Sequence, residues 1–216
     1  MNDALQSRLI EAILNADREL ANSLLDKNAA EIGASRTVSE VLEPVLTKIG
    51  EYWDSTATLS LAQAYVAAKI SEDFLRKSLS AEPPHEGQKK KGPVILGNIE
   101  DDYHSLGRNM ISIFLKSAGW EVIDLGNDVV ASAFVDTAIE SGARIIGVSA
   151  MMYSTASNII KLHDEIQRRM TTDRPKLAVG GAVFKLRPEL VQEVGGDGTA
   201  SNAIQVPPLF DRMCGY

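Results

Sequence analysis

The sequence predicts an α/β protein in two parts: a four-helix bundle over residues 1–80 and, over 93–216, a flavodoxin-like doubly wound parallel sheet. Three observations predict it. Apolar residues between 3 and about 79 recur at three- and four-residue spacing, the period of a helix face. Residues 81–92 are polar and hold Pro83, Pro84, Gly87 and Gly92, the composition of a linker. Beyond them, short branched apolar runs alternate with helical patterns, as in a parallel sheet covered on both faces.

In the first part, Leu5, Leu9, Ile10, Ile13 and Leu14 mark an opening helix. Val38, Val41, Leu42, Val45, Leu46 and Ile49 mark the third. Gly33 and Ser35 break the chain before it, and Thr37 with Glu40 has the spacing of a capping box at its start. Leu59 to Leu79 supplies the last amphipathic stretch. In the second part the strand candidates are Val94–Leu96, Val122–Leu125, Ile145–Val148 and Leu177–Val179. Helical patterns run from Leu106 to Ser117, Val130 to Ser141 and Ala156 to Met170, and Gly119 and Gly142 stand where helices end. A fifth strand is weakly marked near 194–198. Pro207 and Pro208 cannot lie deep inside a final helix.

Composition narrows the function. A net charge of −7 over 216 residues argues against nucleic acid or an anionic membrane surface as the main partner. Lys89, Lys90 and Lys91 form the only basic run and read as solvated linker. Cys214 is the single cysteine, so no internal disulfide or thiolate cluster is possible. No apolar run reaches the length of a membrane span. Asp3, Glu11, Asp17 and Glu19 interrupt anything resembling a signal peptide, and the expectation is a cytoplasmic protein.

An open parallel sheet binds ligands beyond the carboxyl ends of its strands. The first strand is followed there by Gly97 to Gly107, including Asp102, Tyr103, His104 and Ser105; the third by Ser149 to Thr155; the fourth by Gly180-Gly181-Ala182; and the last turn is Gly195 to Thr199. His104 is the one residue at that edge able to ligate a soft or borderline metal. Asp102, two positions earlier, projects to the same side in an extended loop and can accept the ring N–H, fixing the tautomer. Plainer readings stand beside these: a solvated loop histidine, Asp102 as a helix cap, Ser149 and Thr155 bonded to local backbone, Gly180-Gly181 as a turn. The common occupants of such a sheet lack their motifs. There is no G-x-G-x-x-G after the first strand and no Gly-Lys-Ser/Thr phosphate loop. Ser149 stands where a phospho-receiver domain needs an aspartate.

Together, Asp102-x-His104-x-x-Gly107, Ser149-x-Met151 and Gly180-Gly181 resemble the cobalamin-binding domain family across residues 93–213, with Met151 where leucine is usual. The resemblance implies that His104 displaces the cofactor's benzimidazole and ligates cobalt from below. It implies that the displaced tail runs along Gly107, Ser149, Met151, Gly180 and Gly181, with Tyr103, Ser105 and Gly198 completing the cofactor contacts. Thr155 stands where similar domains carry a hydroxyl on the aspartate, which implies a His104–Asp102–Thr155 chain that tunes the cobalt as it alternates between methylcobalamin and cob(I)alamin. The helical part resembles the cap of corrinoid proteins from anaerobic methyltransferase systems that demethylate methanol, methylamines or aromatic methyl ethers. That likeness implies a methyl carrier, not an enzyme on its own. Its partners would be a substrate methyltransferase, a pterin- or thiol-dependent acceptor methyltransferase and a reductive activator. Leu59–Ile70 is similar to aryl methyl ether O-demethylase proteins. Tyr52, Trp53, Gln63 and Tyr65 are candidates to face the cobalt from the cap, and equally candidates for bundle core or surface.

Two other functions share the architecture. Cobalamin light sensors resemble W-x9-E-H in the cap, where Trp53 is followed here by Gln63-Ala64, and no basic DNA-binding module is present. The cobalamin subunit of an adenosylcobalamin mutase partners a radical barrel and needs no methyl-protecting cap.

Overall fold

The computed structural model describes residues 2–56, 61–81 and 91–216, and the chain divides into two compact units, Met1–Pro83 and Pro84–Tyr216. The expected linker falls mostly on residues 82–90, outside the described residues.

The first unit is helical: α1 (Asn2–Leu14), α2 (Arg18–Ile32), a short α3 (Ala34–Thr37), α4 (Glu43–Thr56) and α5 (Leu61–Ala81). Asp17 caps α2 by accepting from the Leu20 N–H at 3.0 Å, satisfying one of the free donors of the first turn. Leu9, Ile13, Leu25, Val41, Leu42, Val45, Ile70 and Leu75 fill the interior; of these, Leu9, Ile13, Val41, Leu42 and Val45 were selected by the helical spacing, and Ile70 and Leu75 lie in the amphipathic stretch Leu59–Leu79. The capping box at Thr37 does not form. Gly33, at φ +88°, ends α2 and starts α3, and helix continues past Thr37 through a π-helical stretch, Val38–Leu42, into α4. Thr37 itself has helical backbone angles, and its buried hydroxyl lies 3.0 Å from both Gly33 O and Asn28 Oδ1. Ser35 is inside the helix rather than part of the break.

The second unit is a parallel sheet of β1 (Lys91–Asn98), β2 (Trp120–Asp124), β3 (Ile145–Ser149) and β4 (Lys176–Gly180) in the order β2-β1-β3-β4. Helices α6 (Leu106–Ser117), α7 (Ala131–Ser141), α8 (Tyr153–Ala156), α9 (Asn158–Arg169), α10 (Ala182–Leu186), α11 (Leu190–Glu193) and α12 (Val206–Cys214) make the connections and the closing segment. Side chains alternate across the strands. Ile95, Ile146, Val148, Leu177 and Val179 pack with Phe134 and Val135 of α7 and Ile159 and Leu162 of α9. Val94, Leu96, Ile145 and Ala178 pack with Leu115 of α6 and Phe210 of α12. Both faces are therefore buried, which is why these strands read as unbroken apolar runs.

Three details depart from expectation. The strand sought at 194–198 reduces to one bridge between Gly198 and Ala178; the turn at Gly195, with φ +77°, leaves too little extended backbone for more. The helical pattern read from Ala156 to Met170 is the single helix α9, Asn158–Arg169, and Ala156 is the last residue of the separate short helix α8. Lys91 and Gly92 belong to β1 instead of the linker. Lys91 pairs with Trp120 in the sheet, and its ammonium meets Asp211 at 2.6 Å and lies over the Trp120 and Tyr216 rings. Pro207 and Pro208 sit in the first turn of α12, where a missing N–H costs nothing.

Candidate functional site: the crevice between the first and third strands

Strand order reverses between β1 and β3, so the loops leaving them diverge and open a crevice at the carboxyl edge. Asn98, Ser149 and Gly180 stand level there, as pairing partners at the ends of β1, β3 and β4. Asp102, from the loop after β1, reaches across that crevice.

The Asp102 side chain is fully buried. Its Oδ1 accepts the backbone N–H of His104 at 2.9 Å and the Asn98 amide at 2.7 Å. Its Oδ2 accepts the Met151 N–H at 2.6 Å, from the loop after β3, and faces the Thr155 hydroxyl at 3.2 Å. Burial, the largest influence, pushes its carboxyl up; the N–H groups of Met151 and His104, the Asn98 amide and the neighbouring His104 outweigh it and hold the carboxyl below its ordinary value. A buried carboxylate with this many donors stays ionised.

His104 Nδ1 lies 3.4 Å from Asp102 Oδ1, and its side chain is 52% exposed. The carboxylate thus stands on the Nδ1 side of the ring, and an Nδ1–H drawn toward it makes Nε2 the lone-pair donor. Thr155, on α8, is buried; its hydroxyl also lies 3.0 Å from Met152 O and accepts the Met152 N–H at 3.4 Å. The three residues expected to form a chain are therefore brought together, with Asp102 at the centre. Asp102 does not cap α6: Ser105 is the N-cap and makes no side-chain capping bond.

The remaining expected site residues line the same edge or lie next to it. A Cβ built on Gly107 or Gly180 meets only open space, whereas one on Gly181 falls 2.0 Å from Ala150 O. The Met151 side chain is exposed and Ser149 is half-buried. Tyr103 is exposed, and its hydroxyl donates to Asp128 Oδ2 at 2.6 Å, which raises the phenol and lowers the carboxyl from their ordinary values. Gly198 accepts the Val179 N–H through its carbonyl and faces α12, where a Cβ would lie 2.8 Å from Met213 Cε. In the first unit, Gln63 donates to Leu14 O at 2.8 Å, and Tyr65 is exposed beneath Lys69. The side chains of Tyr52 and Trp53 lie outside the described residues. Asn98, Arg108, Asn127 and Asp128 also belong to this edge and were not singled out from the sequence; nothing in their local pattern distinguishes them from helix-face and loop polar residues.

A doubly wound sheet with a half-exposed histidine beside a buried carboxylate at its switch point has the form of a ligand-binding α/β domain. Family comparison is specific about which. A model described as B12 binding domain matches residues 92–206, and a second of the same description matches residues 5–76. The chain belongs to the B12-binding family, and cobalamin is its cofactor. It is similar to a corrinoid protein of Desulfitobacterium hafniense, 29% identical over 98% of both chains, and to a dimethylamine corrinoid protein of Methanosarcina acetivorans, 28% identical over 93% of this chain and 92% of that one. The monomethylamine corrinoid protein of Methanosarcina barkeri shares the fold, with a TM-score of 0.79 at 23% identity over 97% of this chain and 98% of that one.

Among the described residues no group of three or more His, Cys, Asp or Glu side chains gathers as a metal site. A lone histidine suits a metal that arrives already held in a macrocycle. The open space beside Gly107 and Gly180 and the exposed Tyr103, Met151, Met152 and Tyr153 suit a large ligand with apolar surface to bury. The residues present fit the group.

Proposed function

We propose that this chain is a methyl carrier that holds cobalamin through the His104 imidazole, in place of the cofactor's own benzimidazole, between a substrate methyltransferase and an acceptor methyltransferase. The observation that carries the proposal is Asp102: a buried carboxylate that ties the His104 backbone, the Met151 N–H and the Thr155 hydroxyl into one cluster. When bound, cobalamin would supply a cobalt that accepts and gives up a methyl group. The imidazole of His104 would be the protein group that holds it.

Asp102 supports that imidazole by holding the Nδ1 proton, which strengthens Nε2 as a donor. His104 lies on a loop and keeps its ring half-exposed, while its backbone N–H is held by Asp102 and its carbonyl by Asn98. Thr155 and the Met151 N–H keep Asp102 in place. Gly107, Ser149, Met151, Gly180 and Gly181 offer the groove for the nucleotide tail, with Tyr103, Ser105 and Gly198 beside it. The acceptor enzyme would use a pterin or a thiol, and a reductive activator would restore the cofactor after adventitious oxidation.

The partner that loads the carrier is proposed to be an aryl methyl ether O-demethylase, the class that Leu59–Ile70 resembles. The relatives named for dimethylamine and trimethylamine favour a methylated amine as the second reading. Anaerobic reconstitution with cobalamin tests the core of the proposal. The wild-type absorption spectrum should be that of a histidine-ligated corrinoid and the His104→Ala spectrum base-off; identical spectra remove His104 as the ligand. Assays pairing the carrier with purified methyltransferases for aryl methyl ethers and for methylamines then identify the donor.

A further inference from the structure

The buried Arg108 guanidinium is not explained by the cluster around Asp102, and its surroundings have a specific logic. Arg108 projects from the first turn of α6, and its side chain is 8% exposed. Its Nη1 donates to Asn98 Oδ1 and to Asn127 Oδ1. Its Nε lies 2.8 Å from Asp124 Oδ1 in an ion pair too poorly aligned for a hydrogen bond. An arginine can only donate, so both asparagines must turn their oxygens toward it and their NH2 groups away.

Those NH2 groups both meet the histidine loop. Asn98 Nδ2 donates to Asp102 Oδ1 at 2.7 Å and to His104 O at 3.1 Å. Asn127 Nδ2 donates to Tyr103 O at 3.4 Å. One cation thereby fixes the orientation of two amides, one at the end of β1 and one in the loop after β2, and these hold Asp102, Tyr103 and His104 in succession. Without Arg108, the Asn98 oxygen loses its buried cationic donor, and the Asn127 amide loses the donor that turns its NH2 toward Tyr103 O. From this geometry we infer that Arg108, acting through Asn98 and Asn127, is the positioning residue that keeps His104 placed for cobalt. The inference rests on His104 being the ligand and adds what sets its position.

Electron paramagnetic resonance of protein grown on nitrogen-15 histidine and loaded with unlabelled cob(II)alamin reads this directly, because a histidine nitrogen would split each cobalt line in two, whereas the cofactor's own base would split it in three. Wild type should show the two-line splitting and His104→Ala should lose it. Arg108→Met and Asn98→Leu should retain cobalamin on gel filtration yet lower the ratio of nitrogen-split to unsplit signal on the order of tenfold, the loss of one charge-assisted bond to a buried amide. Arg108→Lys, which keeps a cation but reaches fewer partners, should recover part of the ratio. Asn127→Ala, at an exposed position, folds even if the buried variants do not, and should lower the ratio measurably but less. Loss of splitting in His104→Ala with a wild-type ratio in Arg108→Lys and Asn127→Ala, and in whichever buried variants fold, overturns the inference and leaves the ligand assignment standing. Splitting retained in His104→Ala overturns the assignment itself.

Discussion

The paired glycines after β4 separate what the fold needs from what the cofactor needs. Gly181 has φ +117° and ψ 170°, a region that only glycine occupies comfortably, and a Cβ there would sit 2.0 Å from Ala150 O and 2.8 Å from Ala150 C. Both objections involve backbone, so no side chain can move to relieve them. Backbone strain of about 1–3 kcal/mol and overpacking of about 1–3 kcal/mol together put Gly181→Ala at roughly 2–6 kcal/mol. Gly180 has no positive φ, and its Cβ would meet nothing within 4 Å. Gly180→Ala should leave the apo protein unchanged, or more stable by less than about 1 kcal/mol through the unfolded chain. Thermal unfolding of the two apo variants is the assay, with Gly181→Ala melting roughly 4–24 °C below wild type. Cobalamin affinity should show the opposite emphasis: Gly180→Ala places a methyl group in the proposed groove and should weaken binding roughly 5- to 150-fold. A stable Gly181→Ala would refute the backbone reasoning, and a Gly180→Ala protein binding cobalamin like wild type would take the tail out of that groove.

Other perturbations should be equally readable. Thr155→Val keeps the shape of a buried side chain but leaves the Met152 N–H and Asp102 Oδ2 short of a partner, so it should cost about 1–3 kcal/mol in urea unfolding while Thr155→Ser costs under about 1 kcal/mol; equal stabilities would mean that the hydroxyl contributes nothing. Burial pushes the Cys214 thiol above its ordinary value, with Asp211 adding to the rise and Arg144 opposing it. At any given pH the folded protein therefore holds less thiolate than a free cysteine. Its reaction with an aromatic disulfide reagent should be at least about tenfold slower folded than in denaturant across neutral and mildly alkaline pH. Similar rates in both states would contradict that environment. Lys91→Met should lower stability by removing a half-buried ion pair with Asp211, and the loss should persist in high salt because burial limits screening; a loss abolished by salt would return Lys91 to the solvated surface.

Much of this was legible in the sequence because burial on both sides of a sheet leaves a strong mark. The runs at Val94, Val122, Ile145 and Leu177 each became a strand, and Leu9, Ile13, Val38, Val41, Leu42, Val45 and Ile49 of the spaced residues are buried in the helical core. The Asp102–His104 pair was legible from its spacing in the loop, whereas Thr155, 53 residues from Asp102, was legible only through resemblance to a known pattern. What escaped was structure that local signals misstate. The Thr37–Glu40 pair has capping-box spacing, yet Thr37 is already inside a helix that Gly33 started, and the π-helical stretch after it has no simple residue signature. Lys91 looked like part of a solvated lysine run, and only the fold brings Asp211, Trp120 and Tyr216 to it. Asn98, Arg108 and Asn127 come from a strand end, a helix and a loop; their common focus exists only once β1 and β2 are side by side.

Isotope substitution tests the central claim most directly. Protein grown on histidine labelled with nitrogen-15 and loaded with unlabelled cob(II)alamin should show each cobalt line split into two by a spin-½ nucleus, where unlabelled protein shows three from nitrogen-14. Three-line splitting that survives the labelling would mean that the cofactor's own base still holds the metal, and that His104 does not.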